Sequence, residues 1–379
     1  MTSMYIHIPF CASRCAYCDF HSGTDLRLMQ RLVSAECREM EMRRGYLHAL
    51  GNPDRQSLPT LYLGGGTPSM LTPELLDQLL RQAETVFGRP RGEVTIEANP
   101  DDVTPTFMSA IRSTYINRIS MGVQSFFDDD LRMLNRRHTA EQARRAVGIC
   151  KENGLTNISV DLIYALPFQT LERWEHNIDQ ALALQVPHLS AYCLSIEEGT
   201  PLSLKLENGE IQSIEDEKCA EMYEMLCKKL TQAGYHHYEL SNFALPGYEA
   251  QHNSSYWDGT PYIGIGPAAH SFDGESRQWN IANTKKYIEA IEQGLIPSEK
   301  EELSADDAYN ELIMTRLRTS KGLNLNELRE KFPNREKHCL ANAQTALKAG
   351  NLEWMDENTL RLTQKGIFVS DAVMSELFV

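Results

Sequence analysis

The first 240 residues alternate short apolar runs with longer segments of helical periodicity. This alternation is typical of repeated strand–helix units that build a parallel sheet. Six successive units curl into a complete or partial barrel, and a doubly wound open sheet is the competing arrangement. We predict an α/β fold, an incomplete (β/α)6 TIM-like barrel. Its predicted strands are 4–9, 60–63, 94–97, 118–121, 158–161 and 189–194, and its helices are 26–44, 73–87, 105–113, 140–153, 171–184 and 214–233.

The rhythm changes after Pro246, where a loop rich in glycine and proline is predicted over 262–270. Further helices are predicted near 284–293, 305–317, 325–332 and 337–349, followed by a hairpin at 352–363 and a last helix. A chain of 379 residues is long enough for two domains. We expect a barrel domain at 1–245 and a smaller, mainly helical C-terminal domain at 246–379.

The net charge of −15 disfavours a general role in binding nucleic acid. The sequence contains neither a signal-peptide pattern at its start nor a run of 18 apolar residues. We therefore expect a cytoplasmic protein, with peripheral contact to a membrane left open. Six of the nine cysteines are scattered, which indicates buried or inert thiols rather than a disulfide framework.

The other three cysteines form a tight group, Cys11, Cys15 and Cys18, directly after the first predicted strand. A loop with Cys-x3-Cys-x2-Cys spacing can wrap three thiolates around a [4Fe–4S] cluster. Such a cluster keeps one iron open for an exogenous chelate, and S-adenosylmethionine (SAM) could fill it through its amino and carboxylate groups. A structural zinc site with a remote fourth ligand and chance clustering are the alternatives.

Polar or glycine-rich motifs follow four more predicted strands. Gly64-Gly65-Gly66-Thr67 follows the second strand, and Glu97, Gln124 and Asp161 lie at the ends of the third, fourth and fifth. In a parallel barrel these ends share the face where binding sites occur, so one pocket is predicted. Singly, each residue has an ordinary alternative, as a turn, a helix cap, a loop hydrogen-bonder or a helix N-terminal charge.

The cysteine spacing at the end of the first strand resembles the motif of the radical SAM superfamily. The strand-end blocks are similar to those of the coproporphyrinogen dehydrogenase and HemW group within it. The resemblance implies a cluster that passes an electron to the sulfonium of SAM, giving methionine and a deoxyadenosyl radical. It also implies site roles: the methionine part is held by Tyr5, Gly65, Gly66 and Thr67, the ribose region faces Glu97 and Gln124, and the site is completed by Arg136, or its neighbour Arg137, and Asp161.

Two features distinguish the coproporphyrinogen dehydrogenase branch of this group from the HemW branch. Coproporphyrinogen dehydrogenases have a fourth cysteine where this chain has Phe20. The segment from His252 to Trp257, His-Asn-Ser-Ser-Tyr-Trp, resembles the His-Asn-x-x-Tyr-Trp motif of HemW-type haem chaperones. An imidazole can ligate haem iron and aromatic rings can cover a porphyrin, so His252 is predicted as the axial ligand, with Tyr256 and Trp257 beside it. An ordinary hydrogen-bonding histidine is the alternative, and His270 is a weaker candidate.

Two functions of different classes follow from the resemblance. The first is a carrier that binds haem and delivers it to an acceptor protein, with the cluster and SAM regulating structure, dimerisation or transfer. The second is an oxygen-independent coproporphyrinogen III oxidase, an enzyme of porphyrin biosynthesis. The expected partners are haem, its acceptor protein, an electron donor for the cluster and, in one arrangement, a second copy of the chain. No catalytic residue is assigned.

Overall fold

The computed structural model describes residues 2–46 and 58–379. Six strands, β1 to β6, lie parallel and adjacent in chain order within a larger sheet. They are β1 (Ser3–Ile8), β2 (Leu61–Gly65), β3 (Val94–Ala98), β4 (Arg118–Gln124), β5 (Ile158–Tyr164) and β6 (His188–Cys193).

Helices connect the parallel strands and cover the outside of the sheet. They are α1 (Met29–Met42), α2 (Pro73–Phe87), α3 (Pro105–Arg112), α4 (Asp128–Met133), α5 (Ala140–Glu152), α6 (Leu171–Ala183), α7 (Pro201–Glu207) and α8 (Asp216–Gln232). Apolar residues of the sheet and of α1, α2, α3, α5, α6 and α8 form one continuous core. The predicted α/β class with an incomplete (β/α)6 barrel is confirmed.

Threonines fix where the crossover helices begin. The hydroxyls of Thr72, Thr104, Thr139 and Thr170 each accept a hydrogen bond from a backbone N–H in the first turn of the helix that follows. Each bond satisfies a donor that lacks a partner within its own helix. The starts of α2, α3, α5 and α6 therefore match the predicted positions.

The predicted loop at 262–270 is wrong, because this segment forms β9 (Tyr262–Ile265) and begins β10 (His270–Phe272). Strand β9 pairs in parallel with β1, with Tyr5 opposite Gly264. A Cβ atom on Gly264 would lie 2.1 Å from the carbonyl oxygen of His270, so the glycine permits a close strand crossing. The glycines that indicated a loop are needed inside the sheet.

The sheet continues beyond β9 and also beyond β6. Its full order is β12-β11-β10-β9-β1-β2-β3-β4-β5-β6-β8-β7. The added strands are β7 (His236–Glu239), β8 (Asn242–Ala244), β11 (Ser276–Asn280) and β12 (Ser298–Glu302), and the helices between them are α9 (Gln251–Trp257) and α10 (Thr284–Glu292).

A second core lies in the C-terminal part of the chain, between Tyr309 and Leu377. It packs a three-stranded sheet, in the order β13-β15-β14, against helices. The elements are α11 (Ala305–Leu317), β13 (Leu323–Asn324), α12 (Leu325–Lys331), α13 (Glu336–Lys348), β14 (Leu352–Asp356), β15 (Thr359–Leu362), α14 (Gln364–Phe368) and α15 (Ser370–Leu377). The predicted boundary at 245/246 stays a prediction, while the large sheet runs on to Glu302.

None of the helices in the described ranges is both long and apolar enough to cross a membrane.

Candidate cofactor-binding site

A cavity of about 480 Å³ opens at the carboxyl ends of the parallel strands. It is lined by residues from the cysteine loop and from the ends of β2 to β6. The predicted site residues that line it are Cys11, Cys15, Cys18, Gly65, Gly66, Thr67, Glu97, Gln124, Arg136 and Asp161. The structure thus brings together all the residues predicted for the cluster and SAM except Tyr5.

Backbone hydrogen bonds join the two ends of the cysteine loop and attach the loop to the segment after α4. Cys11 N–H donates to the Gly23 carbonyl at 2.9 Å, and Ala16 N–H donates to the Leu134 carbonyl at 2.9 Å. All three thiols are free and half-buried. They share the cavity, although no three His, Cys, Asp or Glu side chains within 2–46 and 58–379 converge on a single-ion site. The Arg136 guanidinium lies 3.3 Å from Cys15 Sγ and brings positive charge to the thiols.

The glycine triplet brings backbone close to Glu97. The Gly65 N–H donates to Glu97 Oε2 at 3.0 Å, and the Tyr62 hydroxyl donates to Oε1 at 2.8 Å. A Cβ on Gly64 would lie 2.8 Å from Tyr62 Cε1, and Gly66 is enclosed by backbone atoms of Phe10 and Ile8. Burial raises the pKa of Glu97 to about 7. This carboxylate is therefore held firmly and titrates near neutrality.

The end of β4 is irregular at Gln124. Its φ of 68° lies in the left-handed region, and the pairing with β5 shifts register between Gly122 and Gln124. Non-glycine residues with such backbone angles, and bulges next to sites, often aim a side chain at a ligand. Gln124 Oε1 is buried and has no hydrogen-bond partner.

Arg136, rather than Arg137, reaches the cavity. Its Nη2 donates to Asn99 Oδ1 at 2.6 Å and to the Gly122 carbonyl at 2.5 Å. Its Nε is buried without an acceptor. Arg137 instead pairs with Asp101 at 2.9 Å and with Asp102 at 3.0 Å.

Asp161 stands among hydroxyl groups inside the barrel. Ser120 Oγ donates to its carboxylate at 3.3 Å and Ser159 Oγ at 3.4 Å. Burial raises the pKa of Asp161 above its ordinary value. Barrel interiors are commonly filled by branched apolar residues, so this polar interior is a departure that favours ligand binding.

The donor set fits a SAM molecule bound beside an iron–sulfur cluster. Three half-buried thiols face the cavity, and the unpartnered Gln124 Oε1 and Arg136 Nε leave an acceptor and a donor unsatisfied. Buried polar atoms without partners are rare in native proteins and often mark a place where a ligand completes the bonding.

Tyr5 is not among the residues that line this cavity. Its hydroxyl donates to His7 Nδ1 at 2.9 Å, and its ring stacks on Tyr62 beneath the glycine triplet. Its predicted contact with the methionine part stays a prediction.

Sequence reasoning left several residues that line the cavity unassigned, among them Asn99, Tyr192 and Cys193. Asn99 lies two residues beyond Glu97, and the other two end β6. The strand-end argument that selected Glu97 would also have selected Tyr192 and Cys193, had it been applied to the sixth strand. Phe20 also lines the cavity, and 66% of its surface is exposed.

His252 lies at the opposite end of the barrel. Its side-chain partner Thr60 immediately precedes β2, and Glu93, which accepts its backbone N–H at 3.2 Å, immediately precedes β3. His252 is 1% exposed, and its Nε2 lies 2.9 Å from the Tyr256 hydroxyl. Burial and the nearby Arg118 charge lower the pKa of His252 to about 3, so the ring is neutral.

The other predicted haem residues differ in exposure. Tyr256 and Trp257 belong to the same short helix α9, and the Arg318 guanidinium lies 4.7 Å from the Trp257 ring centroid. His270 is exposed in β10 and stacks against Trp279 at 6.0 Å. The structure therefore does not bring these side chains to the cysteine cavity.

Comparisons with known proteins agree with this geometry. The model of the radical SAM superfamily matches residues 5–181, and that of the HemN C-terminal domain matches 303–369. The chain is 35% identical over 380 residues to the heme chaperone HemW of Mycobacterium tuberculosis, covering 99% of this chain and 94% of that protein. It is 32% identical to the heme chaperone HemW of Bacillus subtilis, covering 98% of each.

A solved structure has the same fold. Coproporphyrinogen III oxidase (HemN) from Escherichia coli, a radical SAM enzyme, superposes with a TM-score of 0.83 at 21% identity, covering 100% of this chain and 90% of that one. This likeness concerns the fold alone. The full-length sequence similarity, together with the cysteine loop and the strand-end cavity, places the chain in the HemW family of the radical SAM superfamily.

Proposed function

We propose that this protein carries haem to an acceptor protein and binds a [4Fe–4S] cluster and SAM in the strand-end cavity. The cofactor proposal is supported by one observation: Cys11, Cys15 and Cys18 line the same cavity as the polar residues at the strand ends. Membership of the radical SAM superfamily favours an iron–sulfur cluster over a zinc site. When bound, the cluster supplies one-electron chemistry.

In this proposal different residues of the chain contact different parts of the SAM molecule. The backbone of Gly65, Gly66 and Thr67 approaches its methionine part, while Glu97 and Gln124 accept hydrogen bonds from its ribose. The position of Arg136 beside both Cys15 and Asn99 suits contact with a carboxylate. Asp161 supplies a further buried acceptor.

The carrier role is supported by two features that distinguish this chain from coproporphyrinogen oxidases. Phe20 replaces the fourth cysteine of those enzymes. Relatives that span nearly the whole chain are named heme chaperones. The partners that the proposal requires are haem, a reductant for the cluster and an acceptor protein, while a homodimer and contact with a membrane stay predictions.

His252 is our proposed axial haem ligand, with Tyr256 and Trp257 beside the porphyrin. In the described conformation both ring nitrogens of His252 are engaged and the side chain is buried. Haem ligation therefore requires α9 to move away from the barrel and Tyr256 to release Nε2.

Anaerobic cluster reconstitution followed by haem titration tests the proposal. Wild-type protein should bind haem with a defined Soret band, and His252→Ala should weaken binding about tenfold or more. His270→Ala is the matched control, because it removes an exposed histidine outside the motif, and its haem affinity should equal that of the wild type.

Unchanged haem affinity in His252→Ala would remove the ligand role from this residue. A separate assay with coproporphyrinogen III, SAM and a reductant should give no protoporphyrinogen. Robust conversion would replace the carrier proposal with the enzyme.

A further inference from the structure

A stack of aromatic rings joins the closed end of the barrel to the cavity. The rings of His252 and Tyr62 lie 5.1 Å apart between centroids with an angle of 30° between their planes. Tyr62 also stacks on Tyr5 at 6.1 Å and 29°. Tyr62 is thus held between two rings from separate parts of the chain.

The hydroxyl of Tyr62 ends this stack at Glu97. It donates to Oε1 at 2.8 Å, while Gly65 N–H holds the other oxygen at 3.0 Å. A Cβ at Gly64 would lie 2.8 Å from the Tyr62 ring and 3.0 Å from Glu97 Oε1. Because the Tyr62 hydroxyl is bonded to Glu97 and both side chains pack against Gly64, a shift of the Tyr62 ring also shifts the carboxylate.

His252 is itself fixed on every polar atom of its ring. Its Nδ1 lies 2.8 Å from Thr60 Oγ1, which donates to Ser3 Oγ at 3.0 Å. Thr60 therefore accepts from Nδ1–H, and Nε2 accepts from the Tyr256 hydroxyl at 2.9 Å. A single neutral tautomer satisfies all these bonds and fixes the plane of the ring that supports Tyr62.

We propose that His252 is a positioning residue for the SAM site, which acts through Tyr62 to orient the Glu97 carboxylate toward the ligand. The inference rests on the proposed SAM site and is independent of haem. The inference gives helix α9 a role in the described conformation, in which α9 packs against the barrel at the end opposite the proposed cluster. A merely structural histidine would affect folding but would not be coupled to Tyr62.

A double-mutant cycle on SAM affinity tests this inference. The measurement is the SAM dissociation constant of the cluster-reconstituted protein, obtained by anaerobic equilibrium dialysis. Tyr62→Phe, which removes only the hydroxyl bonded to Glu97, should raise the dissociation constant about tenfold. His252→Ala should raise it about threefold to fivefold. The double variant should bind no more than about twofold more weakly than Tyr62→Phe alone.

Two controls keep the result specific. Tyr115→Phe also removes one hydroxyl, which donates to the Leu80 carbonyl at 2.7 Å and takes no part in the stack, and this variant should bind SAM as the wild type does. His252→Phe keeps a ring over Tyr62 and should restore most of the affinity lost in His252→Ala. Thermal melting and iron content establish that each variant is folded and loaded.

Fully multiplicative effects of Tyr62→Phe and His252→Ala would overturn the inference, as would wild-type affinity in folded His252→Ala. If His252→Ala does not fold, His252→Leu, which fills the site without an aromatic ring, takes its place in the cycle with the same expected effects. Failure of the wild type to bind SAM would contradict the proposed cofactor site itself.

Discussion

The two ends of the barrel hold similar kinds of polar side chains in opposite states. At the carboxyl end, Gln124 and Arg136 keep buried polar atoms without partners around an open cavity. At the amino end, the imidazole of His252 is fully hydrogen-bonded and Glu93 accepts two backbone N–H groups of α9. Gln124 and Arg136 can therefore gain bonds from a ligand, whereas His252 and Glu93 already have their partners within the protein, although Arg118 Nε and Trp257 Nε1 near them are buried without one.

This difference shows that a polar motif in the sequence can correspond either to groups that await a ligand or to groups already bonded within the protein. Unsatisfied groups at a cavity gain bonds when a ligand arrives, so their free energy favours binding. Satisfied groups lose bonds before they can bind anything, so a ligand at His252 must compensate for the opening of α9. The proposed cofactor site can therefore be described from this conformation, whereas the proposed haem site requires a second one.

The largest effect is expected at the cysteine loop. Cys15→Ala should abolish the iron–sulfur absorption after reconstitution, because a three-thiolate cluster cannot lose a ligand without losing iron. Cys193→Ala is the matched control, since this exposed cysteine lines the same cavity. Iron analysis and absorption spectra measure both. A full cluster in Cys15→Ala, or its loss in Cys193→Ala, would contradict the ligand assignment.

The next effect concerns stability at the amino end. Glu93→Ala removes a buried partner of Arg118, 3.6 Å away, and the acceptor for two helix N–H groups. We expect a loss of about 3 kcal/mol in the free energy of unfolding, measured by denaturant titration. Glu301→Ala, on the exposed strand β12, should change little. Equal stability of the two variants would show that the amino end is not a structural closure.

A smaller effect is expected for the ribose contact. Glu97→Gln should raise the SAM dissociation constant about tenfold, because a charged acceptor is lost. With a pKa of about 7, the wild-type carboxylate is protonated below neutrality. Wild-type SAM affinity should therefore increase as the pH rises from 6 to 8, and that of Glu97→Gln should stay constant. A pH dependence retained in the variant would assign the titration to another group.

The smallest effect is a gain in stability from the same substitution. Burial raises the Glu97 pKa from its ordinary value of 4.5 to about 7. The protonated side chain therefore stabilises the folded state fully below pH 4.5, and this stabilisation is lost as the pH rises through 7 and the buried carboxylate becomes charged. Without cofactors, Glu97→Gln should melt about 2–4 °C above the wild type at pH 8. The difference should vanish near pH 5, as scanning calorimetry can measure. A lower melting temperature at pH 8 would show that its hydrogen bonds outweigh the cost of burial.

Local sequence signals predicted the barrel and the cysteine, glycine and charged residues that line the cavity. Helical periodicity located the starts of α2 and α5, which Thr72 and Thr139 cap in the structure, and glycine or carboxylate at a strand end identified Gly65 and Glu97. These signals act within a few residues. The confirmed fold class and the shared cavity follow from repeating the same local pattern around a parallel sheet.

Long-range pairing explains what the sequence did not predict. Gly264 indicated a loop because nothing nearby shows that β9 pairs with β1, some 260 positions earlier. The polar motif around His252 suggested an accessible ligand, yet Thr60 and Tyr62 enclose it from a distant strand. The burial of an imidazole depends on such partners, and its own neighbours in sequence do not specify them.

The pairing of β9 with β1 also has a consequence for any attempt to shorten the protein. β1 leads into the cysteine loop, and its second edge is covered only when Tyr262–Ile265 is present. A fragment that ends at residue 245 would leave unpaired backbone donors and acceptors along that edge, which is a template for intermolecular strand pairing. Expressing residues 1–245 alone should therefore favour aggregates, and a useful minimal fragment must extend through β9.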